Sequence, residues 1–155
     1  MLFPFCIGGE NMKLFIDCEW NGYRGEMLSL ALVPESDIYG KFYIEFEFNG
    51  EFDPWVEENV KPYLKGNCVK AKIEVQRLLE KYLCSFADVT VVADWPEDIE
   101  RFCNLLITGP GTRLDTPDLK FEIVRFDSIS ELPHNALADA KAIRKEYMSR
   151  KALSK

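Results

Sequence analysis

Long apolar runs are missing from this chain of 155 residues: none approaches the roughly 20 residues a helix needs to cross a bilayer, so no membrane span is expected. Paired cysteines are missing too. Cys6, Cys18, Cys68, Cys84 and Cys103 are an odd, scattered set with no CxxC pair, which argues against a disulfide framework and against a zinc site. Reduced thiols in the cytoplasm are the simplest reading of that set. Positive charge is in deficit, with 19 Lys and Arg against 26 Asp and Glu and a net charge of −7. A protein that held nucleic acid purely by phosphate neutralisation would be basic, so such a partner would have to be held by other means. There is no internal repeat and no low-complexity linker. Residues 2–9 (LFPFCIGG) are apolar but short, have no Lys or Arg before them and contain a proline, which makes a poor signal peptide.

What is present suits one soluble globular domain: 47% hydrophobic and 29% charged residues, at a length that can bury a sizeable core. The expected organisation is a single domain over residues 12–150, an N-terminal arm over 1–11 and a short tail over 151–155. Residues 12–20 alternate, with Lys13, Phe15, Asp17 and Glu19 on one face and Leu14, Ile16, Cys18 and Trp20 on the other. Strands are also expected over residues 26–33 and 41–48, with short connections that suggest an antiparallel meander. Asp53-Pro54 opens a helix over 55–65. Asn67 is expected to cap a second helix reaching about Cys84, with Ile73, Leu79 and Leu83 among its apolar positions. A buried strand over 89–93, a helix opened by Pro96, a strand over 119–126 and a last helix over 135–150 complete the series. The fold class is therefore α/β, with three antiparallel strands first and then strands alternating with helices, giving a mixed sheet flanked by helices.

Three segments carry candidate chemistry. In Asp17-Cys18-Glu19 the two carboxylates are two residues apart on a strand and project from one face. Charges that close repel unless a cation lies between them, and a hard divalent ion is the natural partner. The bland alternative is a strand that ends in charged residues at the solvent. In Asp94-Trp95-Pro96-Glu97-Asp98 a buried strand runs into a helix start, and Asp98 flanks the apolar face; acidic residues there also favour the helix dipole with no further purpose. In His134-Asn135-Ala136-Leu137-Ala138-Asp139 the chain's single histidine precedes a helix on which Asp139 lies among small residues. A carboxylate at such a helix–sheet contact costs free energy unless it is paired or ligates a metal.

Together, and in this order, these residues resemble the DEDDh branch of the DEDD 3′–5′ exonucleases, which have a ribonuclease-H-like fold. Asp17 and Glu19 match the first motif, Asp98 the second, and His134 with Asp139 the third, His-x-Ala-x-x-Asp. The stretch from Phe52-Asp53-Pro54-Trp55-Val56 to Pro62-Tyr63-Leu64 is similar to small bacterial exoribonucleases of the RNase AS type, related to ribonuclease T. Two departures concern substrate contacts: Trp20 stands where much of the family has Thr, and Asp94 where many members have Asn.

The resemblance implies two Mg²⁺ or Mn²⁺ ions held by Asp17, Glu19, Asp98 and Asp139, with His134 as the general base. It further implies release of nucleoside 5′-monophosphates from a single-stranded 3′ end, RNA favoured over DNA, and a homodimer by analogy. Trp20 and Tyr23 are candidates to stack on the terminal base, with Asp94 a further substrate contact. Two basic stretches, Lys65 to Lys81 and Lys141 to Lys151, could track a backbone or simply be solvated helix faces. A DNA-directed exonuclease with the same residues, and a silent ribonuclease-H-like nucleic-acid-binding module, are the rival readings.

Overall fold

The computed structural model describes residues 9–127 and 129–155. Its strands are β1 (Met12–Trp20), β2 (Met27–Pro34), β3 (Phe42–Phe46), β4 (Val69–Lys70), β5 (Asp88–Ala93), β6 (Ile107–Gly109), β7 (Thr112–Arg113) and β8 (Asp118–Ile123). Its helices are α1 (Pro54–Asn59), α2 (Lys72–Leu83), α3 (Pro96–Leu106) and α4 (Ala136–Leu153), with a 3₁₀ turn over Lys61–Tyr63. The main sheet has six strands in the order β4-β3-β2-β1-β5-β8. β1, β2 and β3 pair antiparallel; β5 and β8 add in parallel, as does β4 at the other edge. This is the mixed α/β sheet expected from the sequence. No described helix is long and apolar enough to cross a membrane.

The alternation in β1 builds both layers. Leu14, Ile16 and Cys18 are buried with Val75, Leu79 and Leu83 of α2 and Phe102 and Leu105 of α3. Phe15, one residue out of phase, is buried on the opposite face with Ala136, Ala140 and Ile143 of α4. A strand covered on both faces lies inside its sheet, and β1 lies there between β2 and β5.

Its register with β5 decides the position of the site. The pairing covers only Met12↔Val89 to Phe15↔Val92. Asp17 and Glu19 therefore lie past the carboxyl end of β5, where the chain turns off into α3. In α/β sheets that end of the parallel strands is where ligands are commonly held.

Several boundaries differ from expectation, each for a local reason. The helix expected over 55–65 stops at Asn59, because Pro62 lacks an N–H and restricts the residue before it, leaving a 3₁₀ turn. Asn67 does not cap α2. The chain first adds β4 beside β3, and α2 starts after Ala71. Ile73 then falls on the solvent side, 73% exposed, while Gln76 turns inward and donates to the carbonyls of Leu105 and Ile107. Gly109-Pro110-Gly111 forms the tip of the small β6–β7 hairpin. The last helix runs on to Leu153 across most of the expected tail, and Lys151 pairs with Glu35 at 3.1 Å. Of the cysteines, Cys18, Cys68 and Cys103 are free thiols, whereas Cys84 is disulfide-bonded, contrary to the expectation of reduced thiols throughout. Cys6 lies outside the described residues.

Candidate functional site

Five carboxylates from four segments converge at the end of β5. Oxygens of Asp17, Glu19 and Asp139 lie within 4.8 Å of one another, and so do oxygens of Asp17, Asp94 and Asp98. Asp17 belongs to both groups. Asp17 and Glu19 share a face of β1, Asp94 follows β5, Asp98 sits in the first turn of α3, and Asp139 in the first turn of α4.

Each is held by its own element. Pro96 at the start of α3 fixes a helical φ and needs no N–H partner, which sets the first turn that carries Asp98. Asp98 is 1% exposed, and its Oδ1 accepts from the backbone N–H of Cys18 at 3.0 Å, tying α3 to β1 between the two motif carboxylates. The Asn135 side chain caps α4 by accepting from the N–H of Ala138 at 3.0 Å, and donates to the Tyr63 carbonyl at 3.2 Å. His134 has φ 66°, a left-handed conformation that turns its backbone N–H onto Asp139 Oδ2 at 3.0 Å.

The electrostatics are unfavourable for an all-anionic cluster. Burial, then the charge of Asp139 and Asp98, pushes Glu19 from 4.5 to about 8. Asp98 is raised from 3.8 to about 8 chiefly by burial, against the pull of the Cys18 N–H. Asp17 is raised well above the usual range by burial and by Asp98, Glu19, Asp139 and Asp94 in turn. Burial also raises Asp94 and Asp139. Among the described residues no lysine or arginine forms an ion pair with any of the five. Asp17 Oδ2 is buried and has no hydrogen-bond partner.

A buried carboxylate oxygen without a donor, shared by two groups of hard oxygen ligands, fits one or two divalent cations and suits Mg²⁺, Mn²⁺ or Ca²⁺ better than softer metals. Neither group contains a nitrogen ligand. The His134 ring stands edge-on to Trp55, with centroids 4.9 Å apart.

The motif residues are thus brought together, but the substrate candidates separate. Trp20 is half-buried against the main core, with the Arg101 guanidinium 4.5 Å from its ring, so that ring face is already occupied. Tyr23 is 86% exposed. Asp94, expected as a substrate contact, sits at ligand distance from Asp17 and Asp98. Its spacing of four residues from Asp98 across a strand-to-helix turn was the signal for that placement. Trp55 and Asn135 entered the sequence reading only within longer stretches: a first-turn tryptophan and a cap residue look ordinary until the loop before α4 is seen to meet α1 and the 3₁₀ turn.

The basic stretch on α4 is largely engaged in the protein's own ion pairs. Arg144 pairs with Asp37 at 2.8 Å, Arg150 with Glu146, and Lys151 with Glu35. No protein-family model matches the chain, and no curated protein matches it.

Proposed function

We propose that the protein is a divalent-metal-dependent 3′–5′ exonuclease of the DEDDh type, with a ribonuclease-H-like fold, acting on single-stranded ends and on RNA in preference to DNA. One observation carries this reading: Asp17 is common to two carboxylate groups, and its inner oxygen has no partner from the protein. The sheet order, with an antiparallel meander followed by parallel strands and the carboxylates at the end of the central pair, supports the same reading.

Two divalent ions, when bound, would supply Lewis-acid stabilisation of the charge that develops on the phosphate. Asp17, Glu19 and Asp139 would hold one ion, and Asp17, Asp94 and Asp98 the other. The Cys18 N–H holds Asp98, and the His134 N–H holds Asp139, so the ligands are oriented before substrate arrives. The His134 imidazole lies outside both ligand groups, on the loop beside Asp139, and would take the proton of the attacking water. Its edge contact with Trp55 limits how the ring can turn.

The acidic surface is compatible with a short strand end held by metal and by base contacts, which needs fewer cations than a duplex does. The test is incubation of 5′-labelled single-stranded RNA and its DNA counterpart with Mg²⁺, Mn²⁺ or EDTA, beside Asp17→Asn. A ladder shortening from the 3′ end, absent in EDTA and in the variant, is the expected result, and the two strands report the sugar preference. Intact strands with folded protein and either metal would refute the nuclease reading and leave a binding module.

A further inference from the structure

Glu45, on β3, is 2% exposed and belongs to neither carboxylate group. A buried carboxylate costs free energy unless its oxygens are satisfied, and among the described residues no lysine or arginine forms an ion pair with it. Its oxygens accept instead from the Tyr43 hydroxyl at 2.7 Å and from the backbone N–H groups of Lys65 at 2.5 Å and Gly66 at 2.7 Å. Glu45 is opposite Ser29 on β2, and Ser29 is opposite Glu19 on β1. It therefore stands on the same face of the sheet as Glu19, two strands away, or about 10 Å at ordinary strand spacing.

The two N–H groups belong to the loop that leaves the 3₁₀ turn and enters β4. Gly66 takes φ 70° there, a left-handed backbone that glycine adopts without strain. Upstream the chain is hydrogen-bonded to itself: Leu64 N–H donates to the Lys61 carbonyl at 3.2 Å and Tyr63 N–H to the Val60 carbonyl at 2.9 Å. The Tyr63 carbonyl accepts from Asn135 Nδ2 at 3.2 Å, and Asn135 Oδ1 caps α4. Next to that cap, His134 holds φ 66° with its N–H on Asp139 at 3.0 Å. Val56 and Val60 also pack on Leu28, but an apolar contact has no direction; it keeps the segment near the sheet without aiming the Tyr63 carbonyl. The hydrogen bonds to Glu45 supply that direction.

We propose that Glu45 is a positioning residue for His134: by fixing the loop at Lys65 and Gly66 it aims the Tyr63 carbonyl at Asn135, and through that cap it holds the left-handed backbone of His134. The inference rests on the exonuclease reading for the role of His134 as base and adds what keeps that base in place. An apolar side chain at position 45 would fill the space without desolvating a charge, but it would offer the two N–H groups no acceptor. Displacing a reacting group by about 1 Å is enough to cost catalysis on the order of 10²-fold, so a remote loop anchor can govern turnover.

Because the chain has a single histidine, ¹⁵N-histidine labelling reports one backbone amide, the donor to Asp139. The experiment compares the parent protein with Glu45→Gln and Asn135→Ser, first by that amide resonance without metal and then by steady-state hydrolysis of a uridine dodecamer RNA in Mn²⁺. Glu45→Gln keeps the shape and removes a buried charge; Asn135→Ser keeps a capping oxygen and drops the contact with Tyr63. A circular-dichroism melt should show both folded. Both variants should move the His134 amide and lower kcat about tenfold, with KM changed less than about twofold, and the double variant should be no worse than either single one. An unmoved His134 amide in Glu45→Gln, or losses in kcat that multiply in the double variant, would overturn the positioning role. A Glu45-dependent amide in a parent protein that hydrolyses no RNA would overturn the exonuclease reading and leave the link from Glu45 to His134 standing. Hydrolysis that Glu45→Gln leaves at the parent rate would do the reverse.

Discussion

Replacing Asp17 by Asn should make the metal-free protein more stable while destroying its response to metal. Asp17 is the point where two carboxylate groups overlap, and its buried Oδ2 has no donor. Asparagine has nearly the same shape, loses the charge and offers N–H donors to the carboxylates around it. Glu19 and Asp98 sit at about 8 against ordinary values of 4.5 and 3.8, so at pH 7.5 each opposes folding by on the order of 4 kcal/mol relative to the unfolded chain, where it is already ionised. Burial is the larger cause and persists in the variant. Relief of like-charge repulsion and the new donors should return about 1–3 kcal/mol. For a chain of this size each kcal/mol moves Tm by about 3 °C, so Asp17→Asn should melt about 3–9 °C higher in EDTA. The parent protein in Mn²⁺ at a hundredfold excess over Kd should gain about 2.7 kcal/mol, on the order of 8 °C, and the variant far less. Differential scanning calorimetry in EDTA and in Mn²⁺ measures all four states. A variant that melts lower than the parent in EDTA, or gains as much from Mn²⁺, would refute the shared-ligand geometry.

The other expectations are simpler. Because Glu19, Asp98 and Asp17 have folded values above their unfolded ones, the fold binds more protons than the unfolded chain between about pH 4.5 and 8. The site's contribution to stability in EDTA should therefore fall as pH rises through that window, while the Mn²⁺-induced rise in Tm grows; paired melts at pH 5 and 8 would show a constant metal effect if the carboxylates are not the ligands. His134→Asn tolerates the left-handed backbone at φ 66° and keeps the N–H on Asp139. It should lose about 10²–10⁴ in turnover while retaining the metal-induced Tm rise, and a variant that loses both would make His134 a ligand instead of a base. Phe15→Ala empties the contact between β1 and α4 and should cost about 3–5 kcal/mol by urea unfolding; a cost below about 1 kcal/mol would mean that α4 is not packed there. Glu122 accepts from Lys13 at 2.7 Å and from the Tyr147 hydroxyl at 2.9 Å, and this partly exposed set is subject to solvent screening. Glu122→Gln should cost no more than about 1 kcal/mol at pH 7. The difference should vanish as pH falls below the ordinary carboxylate range, since the folded value is lowered; a pH-independent cost would point to packing.

Much of this was legible in the residue order. The alternation of β1 assigned Leu14, Ile16 and Cys18 to one layer and Phe15 to the other, and the structure buries them that way. The same period of two put Asp17 and Glu19 on one face. Local rules erred where a contact distant in sequence outweighed them. Asn67 reads as a cap, but pairing with β3 captured the following residues as a strand. Ile73 reads as core, but the true start of α2 rotates it to solvent.

What the sequence by itself determined is the identity of the acidic residues and the local direction of each, since strand and helix periods depend only on neighbours along the chain. What only the tertiary structure decided is that five carboxylates from β1, the end of β5, α3 and α4 meet around Asp17, that Asp94 is one of them, and that the Trp20 ring lies under the Arg101 guanidinium. The reason is the register of β1 against β5. It ends at Phe15 and Val92, carrying Asp17 past the strand end to where both helix starts converge, and no pattern within one segment encodes that offset.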